Sequence, residues 1–333
     1  MQRSIGRRGL WAMGAATLPL SAMAQAPSVP APWPSRPIRI IVAWPAGGST
    51  DAVMRLLAAP MQAVLGQPVM IENRAGASGS IGAAAVAQAA ADGLTVLGDA
   101  SSQVVNPALM QGLPFDYVGG FAPVTQLCIA PAMLLVRAED GPADLAGLVE
   151  RLRRQPGAPY SSSGIGAAAH LTSAALLRQI NAREPGIAAT HVPYRGSPMQ
   201  VQAVLSGEVV FTFSTVPAAA GLVRDGRLRA LAVSSAQRLP GFPTVPTVAE
   251  SGFPGFAMTE WLALFVPAGT PASAIARLAE AAHAGLADPE IRRRLALLGM
   301  EPVGGGPAAL AAFLAEQRPR MAALIAAEGI RLD

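Results

Sequence analysis

The chain has 333 residues, which is long for a single hydrophobic core and favours two domains. Hydrophobic residues make up 51% of it and charged residues only 14%, a balance typical of a globular protein and not of a disordered one. No lysine occurs, so all 25 basic side chains other than histidine are arginines. The chain therefore has no residue for a P-loop lysine, a Schiff-base lysine or a lysine general base.

The first 24 residues predict an export signal. A basic start with the pair Arg7-Arg8 precedes an apolar run over 10–20, and Ala22-Met23-Ala24 fits a small-x-small cleavage site. The paired arginines also permit twin-arginine export beside the Sec route. A membrane anchor is the alternative, but the run is shorter than the ~20 residues that a span needs. We expect a periplasmic protein, with a proline-rich tether over 25–35.

The net charge limits the classes of partner that we expect the chain to bind, and the cysteine content limits its covalent structure. Residues 1–24 hold three arginines and no acid, so 22 arginines and 21 acids remain and the processed chain has a net charge of +1. Nucleic acid and anionic membranes are therefore not expected partners. The one cysteine, Cys128, cannot form an intramolecular disulfide, and we interpret it as a small buried hydrophobic residue.

After the tether, apolar strand-like segments alternate with helical patterns, which predicts a parallel sheet covered by helices. The first strand is expected at 37–44 and the first helix at 51–65, with Gly66 ending it and Pro60 causing a kink or an early stop. The later predicted elements, in chain order, are 68–73, 79–91, 94–100, 132–137, 143–154, 158–163, 167–182, 188–194, 197–206, 208–214, 228–235, 259–269, 271–298 and 307–328.

The order of these elements predicts two α/β lobes, with the second inserted into the first. We expect lobe 1 to comprise 36–128 and 247–333, and lobe 2 to comprise 129–246. The proline-dotted stretch near 239–258 returns the chain to lobe 1. A cleft between two lobes is a usual place for a small ligand.

Four small polar loops, each between a strand and a helix, are the candidate ligand site. Glycine lets the backbone approach a ligand, and free N–H groups at a helix start attract a carboxylate without any lysine. Each loop alone is equally well explained as turn and cap chemistry, and His170 as an ordinary helix histidine, but four at equivalent places favour a site. The candidate residues are Ala46, Gly47, Gly48, Ser49, Thr50, Asp51, Ser101, Ser102, Gln103, Asn106, Ser161, Ser162, Ser163, Gly164, Gly166, Ala167, His170, Tyr194, Arg195, Gly196 and Ser197.

Other chemistries find little support in the sequence. The three histidines, His170, His191 and His283, have no zinc-site spacing, and no G-x-S-x-G elbow occurs. The segment "GIGAAAH" (164–170) lacks the third glycine of a dinucleotide fingerprint. We expect neither a metal nor a cofactor.

An ordered series of motifs resembles the Bug-type substrate-binding proteins of tripartite tricarboxylate transporters. The series covers nearly everything from residue 36 onward. It reads "RPIRIIVAWPAGGSTDAVMRLLA", "VMIENRAGASGSIGAAAVAQAAADGLTVL", "NPALMQGLPFDYVGGFAPVTQL", "YSSSGIGAAAHL", "HVPYRGS", "LRALAVSSAQRLPGFPTVPTVAESGFPGF" and "WLALFVPAGTP".

The resemblance implies a two-lobed Venus-flytrap receptor of the type II periplasmic-binding-protein kind. It would be a monomer without catalytic activity that captures a small organic carboxylate and presents it to membrane permease subunits. The implied pocket comprises 46–51, 101–106, 161–167 and 193–197, with hinges near 126–130 and 240–260. The chain departs from the family pattern at Pro60, at Ala169, where a proline is common, and at Ser214, where an acid is common. The missing acid leads us to expect a more anionic or less amine-bearing ligand.

Two other functions remain open at this stage. A flytrap receptor of the same fold could report its ligand to a membrane sensor kinase, and nothing in the sequence separates that role from transport. A small-molecule hydrolase or isomerase would use His170, Asp51 and a serine, which requires a base within hydrogen-bond reach of a nucleophile.

Overall fold

The computed structural model of the chain describes residues 33–331. The predicted export signal, 1–24, and all but the last three residues of the tether lie outside the described residues.

Ten strands and ten helices alternate along residues 33–331. The strands are β1 (Ile38–Val42), β2 (Val69–Asn73), β3 (Thr95–Asp99), β4 (Phe121–Arg137), β5 (Ala158–Ser162), β6 (Ala189–Pro193), β7 (Phe211–Thr215), β8 (Leu228–Val233), β9 (Thr259–Pro267) and β10 (Glu301–Gly304). The helices are α1 (Ser49–Leu65), α2 (Ser80–Ala87), α3 (Ser102–Leu109), α4 (Leu145–Arg154), α5 (Ala168–Arg183), α6 (Ser197–Leu205), α7 (Val216–Arg224), α8 (Ala272–Ala287), α9 (Pro289–Leu297) and α10 (Pro307–Ala327).

One long strand, β4, joins two groups of strands. In the first group β1 lies parallel between β2 and β3, and β9 runs antiparallel between β3 and the first part of β4. In the second group β5 lies parallel between β6 and β7, and both β7 and β8 pair antiparallel with the last part of β4. This is the predicted two-lobed α/β fold. β4 pairs with strands of both groups and so connects the two lobes.

Both faces of each sheet are buried, which explains the nearly continuous apolar runs of the strands. In β1, Ile40 packs in the core beneath α1 and α8, while Ile41 belongs to the core on the opposite face, with residues of α2 and α10. In the second part of β4, Leu134 and Leu135 likewise point into separate cores. Cys128 is buried in the first core, as expected, and burial raises the pKa of its thiol.

The structure corrects three expectations about the elements. The sheets are mixed and not purely parallel, because β4, β9 and β10 pair antiparallel. The helical pattern over 271–298 is two helices, since Asp288 accepts hydrogen bonds from the first N–H groups of α9 and starts a new helix. Pro60 does not end α1, which continues to Leu65 and closes with Gly66 in the left-handed region.

The return of the chain from the second lobe is gradual. Val248, Phe253 and Phe256 pack in a core of the second lobe, and from Thr259 onward β9 belongs to the sheet of the first. The exact limits of the lobes, 128/129 and 246/247, stay a prediction.

The packing of α2 on β1 gives a test of this arrangement. A Cβ at Gly82 would lie 2.7 Å from the Ala43 Cα and 2.9 Å from the Arg74 carbonyl oxygen, so Gly82→Ala must push the helix from the sheet. We expect it to lower the free energy of unfolding by about 1–3 kcal/mol. Gly221→Ala is the control, because Gly221 is exposed on α7 and no atom outside its own helix backbone lies within 4 Å of its Cβ, and there the free energy should rise by about 0.5–1 kcal/mol. Urea denaturation measures both, and equal effects would contradict the packing.

Candidate ligand-binding site

Four helices begin at the cleft between the lobes: α1 comes from the first lobe and α5, α6 and α7 come from the second. Their starts line two adjoining cavities of about 20 Å³ each, enough for roughly one water molecule apiece. The first cavity is lined by Trp44, Pro45, Gly48, Ser49, Thr50, Ser163, Ala167, Ser197, Thr215 and Glu260. The second shares four of these residues and adds others from β4, α5, α6 and β7.

The starts of these four helices are not capped by side chains. Their N-cap residues, which make no side-chain hydrogen bond to the helix, are Gly48, Ala167, Gly196 and Thr215. Among the described helices only α4 and α9 have side-chain caps, from Asp144 and Asp288, so what distinguishes the four cleft helices is that their uncapped starts meet at one place. The first N–H groups of an uncapped helix need another partner, and the helix dipole favours a negatively charged one. The cleft is thus prepared for an anion.

Buried side-chain oxygens around the two cavities also lack partners. Ser49, Gln200 and Ser214 are each at most 3% exposed, and Thr215 is half-buried. The atoms without a hydrogen bond from the described residues are Ser49 Oγ, Gln200 Oε1, Ser214 Oγ and Thr215 Oγ1. Such groups are nearly always paired in folded proteins, with protein, water or ligand. Their concentration here indicates a polar group held between the lobes.

Asp51 fixes the conformation of the first loop through hydrogen bonds. Its carboxylate accepts hydrogen bonds from the Gly47 N–H at 3.0 Å, from Arg55 Nε at 2.9 Å and from Asn73 Nδ2 at 2.9 Å. Burial acts to raise the pKa of Asp51, but these hydrogen bonds outweigh it and the pKa is lowered. Asp51 therefore stays ionised and holds Gly47, whose φ of 84° is in the left-handed region.

The second predicted loop is mostly the first turns of α3. Ser102 and Gln103 donate to the buried Asp99, and Asn106 donates to the Ser78 carbonyl and to Tyr117. These three side chains hold α3 in place and do not line the two small cavities. Ser101 is different: its Oγ donates to Glu260 Oε1 at 3.1 Å.

In the third loop, Ser163 and Ala167 line the small cavities, Gly164 lines the larger cavity described below, and Ser161, Ser162 and Gly166 build the loop. Ser161 Oγ donates to the Gln200 carbonyl, and Ser162 Oγ contacts His191 Nε2 at 2.6 Å. A left-handed conformation at Gly166 (φ 73°) and a positive φ at Gly164 (143°) turn the chain into α5.

His170 supports this loop from within the second lobe. Its Nδ1 accepts a hydrogen bond from the Gly166 N–H at 3.1 Å, and its ring stacks on His191 with the centroids 3.7 Å apart. Burial lowers the pKa of His170 to about 4, and burial together with His170 lowers that of His191 to about 3. Both rings are neutral at pH 7. His170 and Asp51 are each held by other partners, so the catalytic grouping of His170, Asp51 and a serine is not assembled.

The fourth loop faces a larger cavity of about 260 Å³. Tyr194 and the exposed Arg195 line this cavity together with residues 75–79 of the first lobe. Gly196 lines the same cavity, and Ser197, the first residue of α6, reaches both small cavities.

The two lobes touch each other across the cleft. Ser78 Oγ donates to the Ile165 carbonyl at 2.9 Å. A Cβ at Gly196 would lie 2.3 Å from Pro45 Cγ, and a Cβ at Gly166 would lie 2.3 Å from Leu109 Cδ1. A Cβ at either position would clash with the first lobe, so this close contact between the lobes requires glycine at 166 and at 196.

Several residues that line the small cavities lie outside the predicted site, and Glu260 and Gln200 are the longest polar side chains among them. Glu260 at the start of β9 lines both small cavities, and Gln200 on α6 lines one of them. The only signal for Glu260 in the sequence is an acid directly before the apolar run of a strand.

Comparison with known proteins assigns the chain to a family. Residues 53–330 match the family model described as tripartite tricarboxylate transporter family receptor. The chain belongs to this receptor family. Among relatives, the protein BugT of Bordetella pertussis is 35% identical over 90% of this chain and 91% of its own length. The predicted Bug-type resemblance is confirmed.

Solved structures of similar proteins agree with the family. The periplasmic binding protein BugD has a TM-score of 0.83 at 31% identity, over 90% of this chain and 99% of its own. The R. palustris protein Rpa4515 with adipate has a TM-score of 0.84 at 30% identity, with coverages of 90% and 99%. MatC from Rhodopseudomonas palustris with bound malate has a TM-score of 0.80 at 31% identity, with coverages of 88% and 100%.

Membership of this receptor family establishes the general role of the chain. The family consists of periplasmic solute-binding receptors, which are not a class of enzymes, and membership implies an extracytoplasmic location. Within residues 33–331 no helix is both long and apolar enough to cross a membrane. The same residues contain no group of three or more His, Cys, Asp or Glu side chains arranged to hold a metal ion.

The contact between Gly196 and Pro45 tests whether closure of the cleft matters. Gly196→Ala places its Cβ against the other lobe, so it should destabilise the closed state and weaken carboxylate binding at least 10-fold. Gly186→Ala is the matched control, since Gly186 has a similar φ of 99° but no atom within 4 Å of its Cβ. Calorimetric titration measures binding and thermal unfolding measures stability. Equal affinities in the two variants would contradict the role of this contact.

Proposed function

We propose that the exported chain binds a small organic carboxylate between its lobes and delivers it to the membrane permease of a tripartite tricarboxylate transporter. The observation that carries this proposal is the convergence of four uncapped helix starts and four unpaired buried oxygens on two small cavities. Backbone N–H groups and helix dipoles stabilise an anion there without a lysine or a guanidinium.

One fact favours a carboxylate over other anions, and a second is compatible with it. Adipate and malate are named in solved structures of similar proteins, with TM-scores of 0.84 and 0.80. The neutral hydroxyls and the amide around the cavities can donate to or accept from a carboxylate and from the waters beside it. The ligand-contacting groups would come from 48–50, Ser163, 167–168, Ser197 and 215–216.

Binding would follow the closure of the lobes. A carboxylate docks on the start of α1 in the first lobe, and the helix starts of the second lobe then close over it. The ligand shifts the equilibrium only by the difference between its affinities for the open and closed forms. Export would follow the signal at 1–24 by the Sec or twin-arginine route, and the processed chain would act as a monomer.

The direct test is a thermal-unfolding screen of the processed protein purified from the periplasm. Succinate, malate, aspartate, adipate, citrate and aromatic acids are the ligands, and the matching uncharged amides are the controls. A ligand at 100 times its Kd adds about 2.7 kcal/mol of stability, which raises the midpoint by several degrees. The amides should have no effect, because they lack the charge that the helix starts attract. If no carboxylate raises the midpoint, the proposed function is wrong.

A further inference from the structure

Glu260 contributes a carboxyl group to the anion site. Its side chain lines both small cavities and also a neighbouring cavity of about 260 Å³ that extends toward α10. No other acid and no arginine or histidine lines the two small cavities. The cavities thus contain helix N-termini, which favour an anion, and one carboxyl group, which does not.

The hydrogen bonding of Glu260 is incomplete. Ser101 Oγ donates to Oε1 at 3.1 Å, and no side chain among residues 33–331 donates to Oε2. Burial and the nearby Asp99 raise the pKa of Glu260 to about 7, against hydrogen bonds from the hydroxyl and the backbone of Ser101. Glu260 is half-buried, and no side chain among residues 33–331 other than Ser101 donates to its carboxyl group, so Oε2 can accept a hydrogen bond from a ligand.

Within the described residues, none of the other side chains that line the cavity donates a hydrogen bond to Glu260, although hydroxyl groups are among them. Ser214 Oγ and Gln200 Oε1 line the same cavity and are themselves unpaired, and the Gln200 amide nitrogen already donates to the Phe213 carbonyl at 3.0 Å. The free space beside Glu260 is about 20 Å³ in each of the two small cavities, enough for one hydroxyl or one ammonium group there, and the cavity of about 260 Å³ toward α10 has room for the rest of a ligand.

We propose that Glu260 selects ligands that carry a hydrogen-bond donor, a hydroxyl or an ammonium group, on the carbon next to the bound carboxylate. The ligand carboxylate lies at the helix starts, and its neighbouring donor binds the free oxygen of Glu260. This inference rests on the proposed carboxylate-binding function and specifies its ligand as a 2-hydroxy or 2-amino acid.

The inference reverses one expectation from the sequence. The serine at 214 led us to expect a ligand with less amine character, because an acid is common at that position. In the structure Glu260 on β9 and Ser214 on β7 line the same cavity, so a carboxyl group is present there from another strand.

The experiment compares ligands that share a carbon skeleton and differ only at the carbon beside the carboxylate. For a four-carbon diacid these are succinate, malate and aspartate, with hydrogen, hydroxyl and ammonium in turn. If the thermal screen selects an aromatic acid, the set is phenylacetate, mandelate and phenylglycine. We expect the wild-type protein to bind the hydroxyl or the ammonium form at least 10-fold more tightly than the unsubstituted acid in calorimetric titration.

Variants of Glu260 assign that preference to its side chain. Glu260→Met keeps the length of the side chain but loses the charge and both acceptor oxygens, and Glu260→Ala removes the side chain beyond Cβ. Both should lower the affinity for the preferred form at least 10-fold and leave the unsubstituted acid within about threefold of wild type. Glu301→Met is the control, because Glu301 is exposed on β10 and lines neither small cavity. Thermal unfolding checks that each variant folds, and the methionine variant, which is similar in size to the wild type, decides if the alanine variant does not fold.

The outcomes separate this inference from the function on which it rests. If the wild type binds the unsubstituted acid as tightly as the others, or if the variants keep the preference, Glu260 does not select the ligand, although carboxylate binding stands. If no carboxylate binds the wild type, both the inference and the proposed function are wrong.

Discussion

A helix that begins inside a protein leaves N–H groups that must be satisfied, and four such helices meet here with no side-chain cap. The other features of the cleft follow from this constraint. Three of the four N-cap residues are glycine or alanine, whose small side chains leave the backbone N–H groups accessible to a ligand. Serine and threonine residues at or beside the N-caps add hydroxyl groups. The donors are fixed by the backbone of two sheets, so the site is pre-organised and needs no long, flexible cation.

Closure brings the two halves of this site together. The first lobe supplies the start of α1, the second lobe supplies the other three helix starts, and β4 runs through both. Where the lobes touch, Gly166 packs against Leu109 and Gly196 against Pro45 at distances that leave no room for a Cβ. The groups behind the loops keep the geometry: Asp51 holds the first loop, and the neutral His170 holds the third.

Much of the fold could be predicted from the sequence, because apolar runs and helical patterns are local signals. The end of α1, most strands through β8 and the loops at the starts of α1, α5 and α6 are of this kind, whereas the short helices α3 and α7 were not predicted. The antiparallel return through β9 and the pairing of β10 could not be predicted, since strand partners far apart in the chain leave no local pattern. The same holds for Glu260 and Gln200, which reach the cleft only through tertiary packing. Side chains with strong local signals, such as Asn106 and His170, turned out to bond within their own lobe.

The central claim is that backbone N–H groups of the helix starts hold the carboxylate, and a crystal structure with the tightest ligand of the screen tests it most directly. The account predicts carboxylate oxygens at about 2.7–3.2 Å from backbone nitrogens in the first turn of α1 and in the first turn of at least one of α5, α6 and α7. A carboxylate bound instead by the guanidinium of Arg195, or by that of Arg320, which lines the cavity of about 260 Å³ toward α10, with only water at the helix starts, would contradict it.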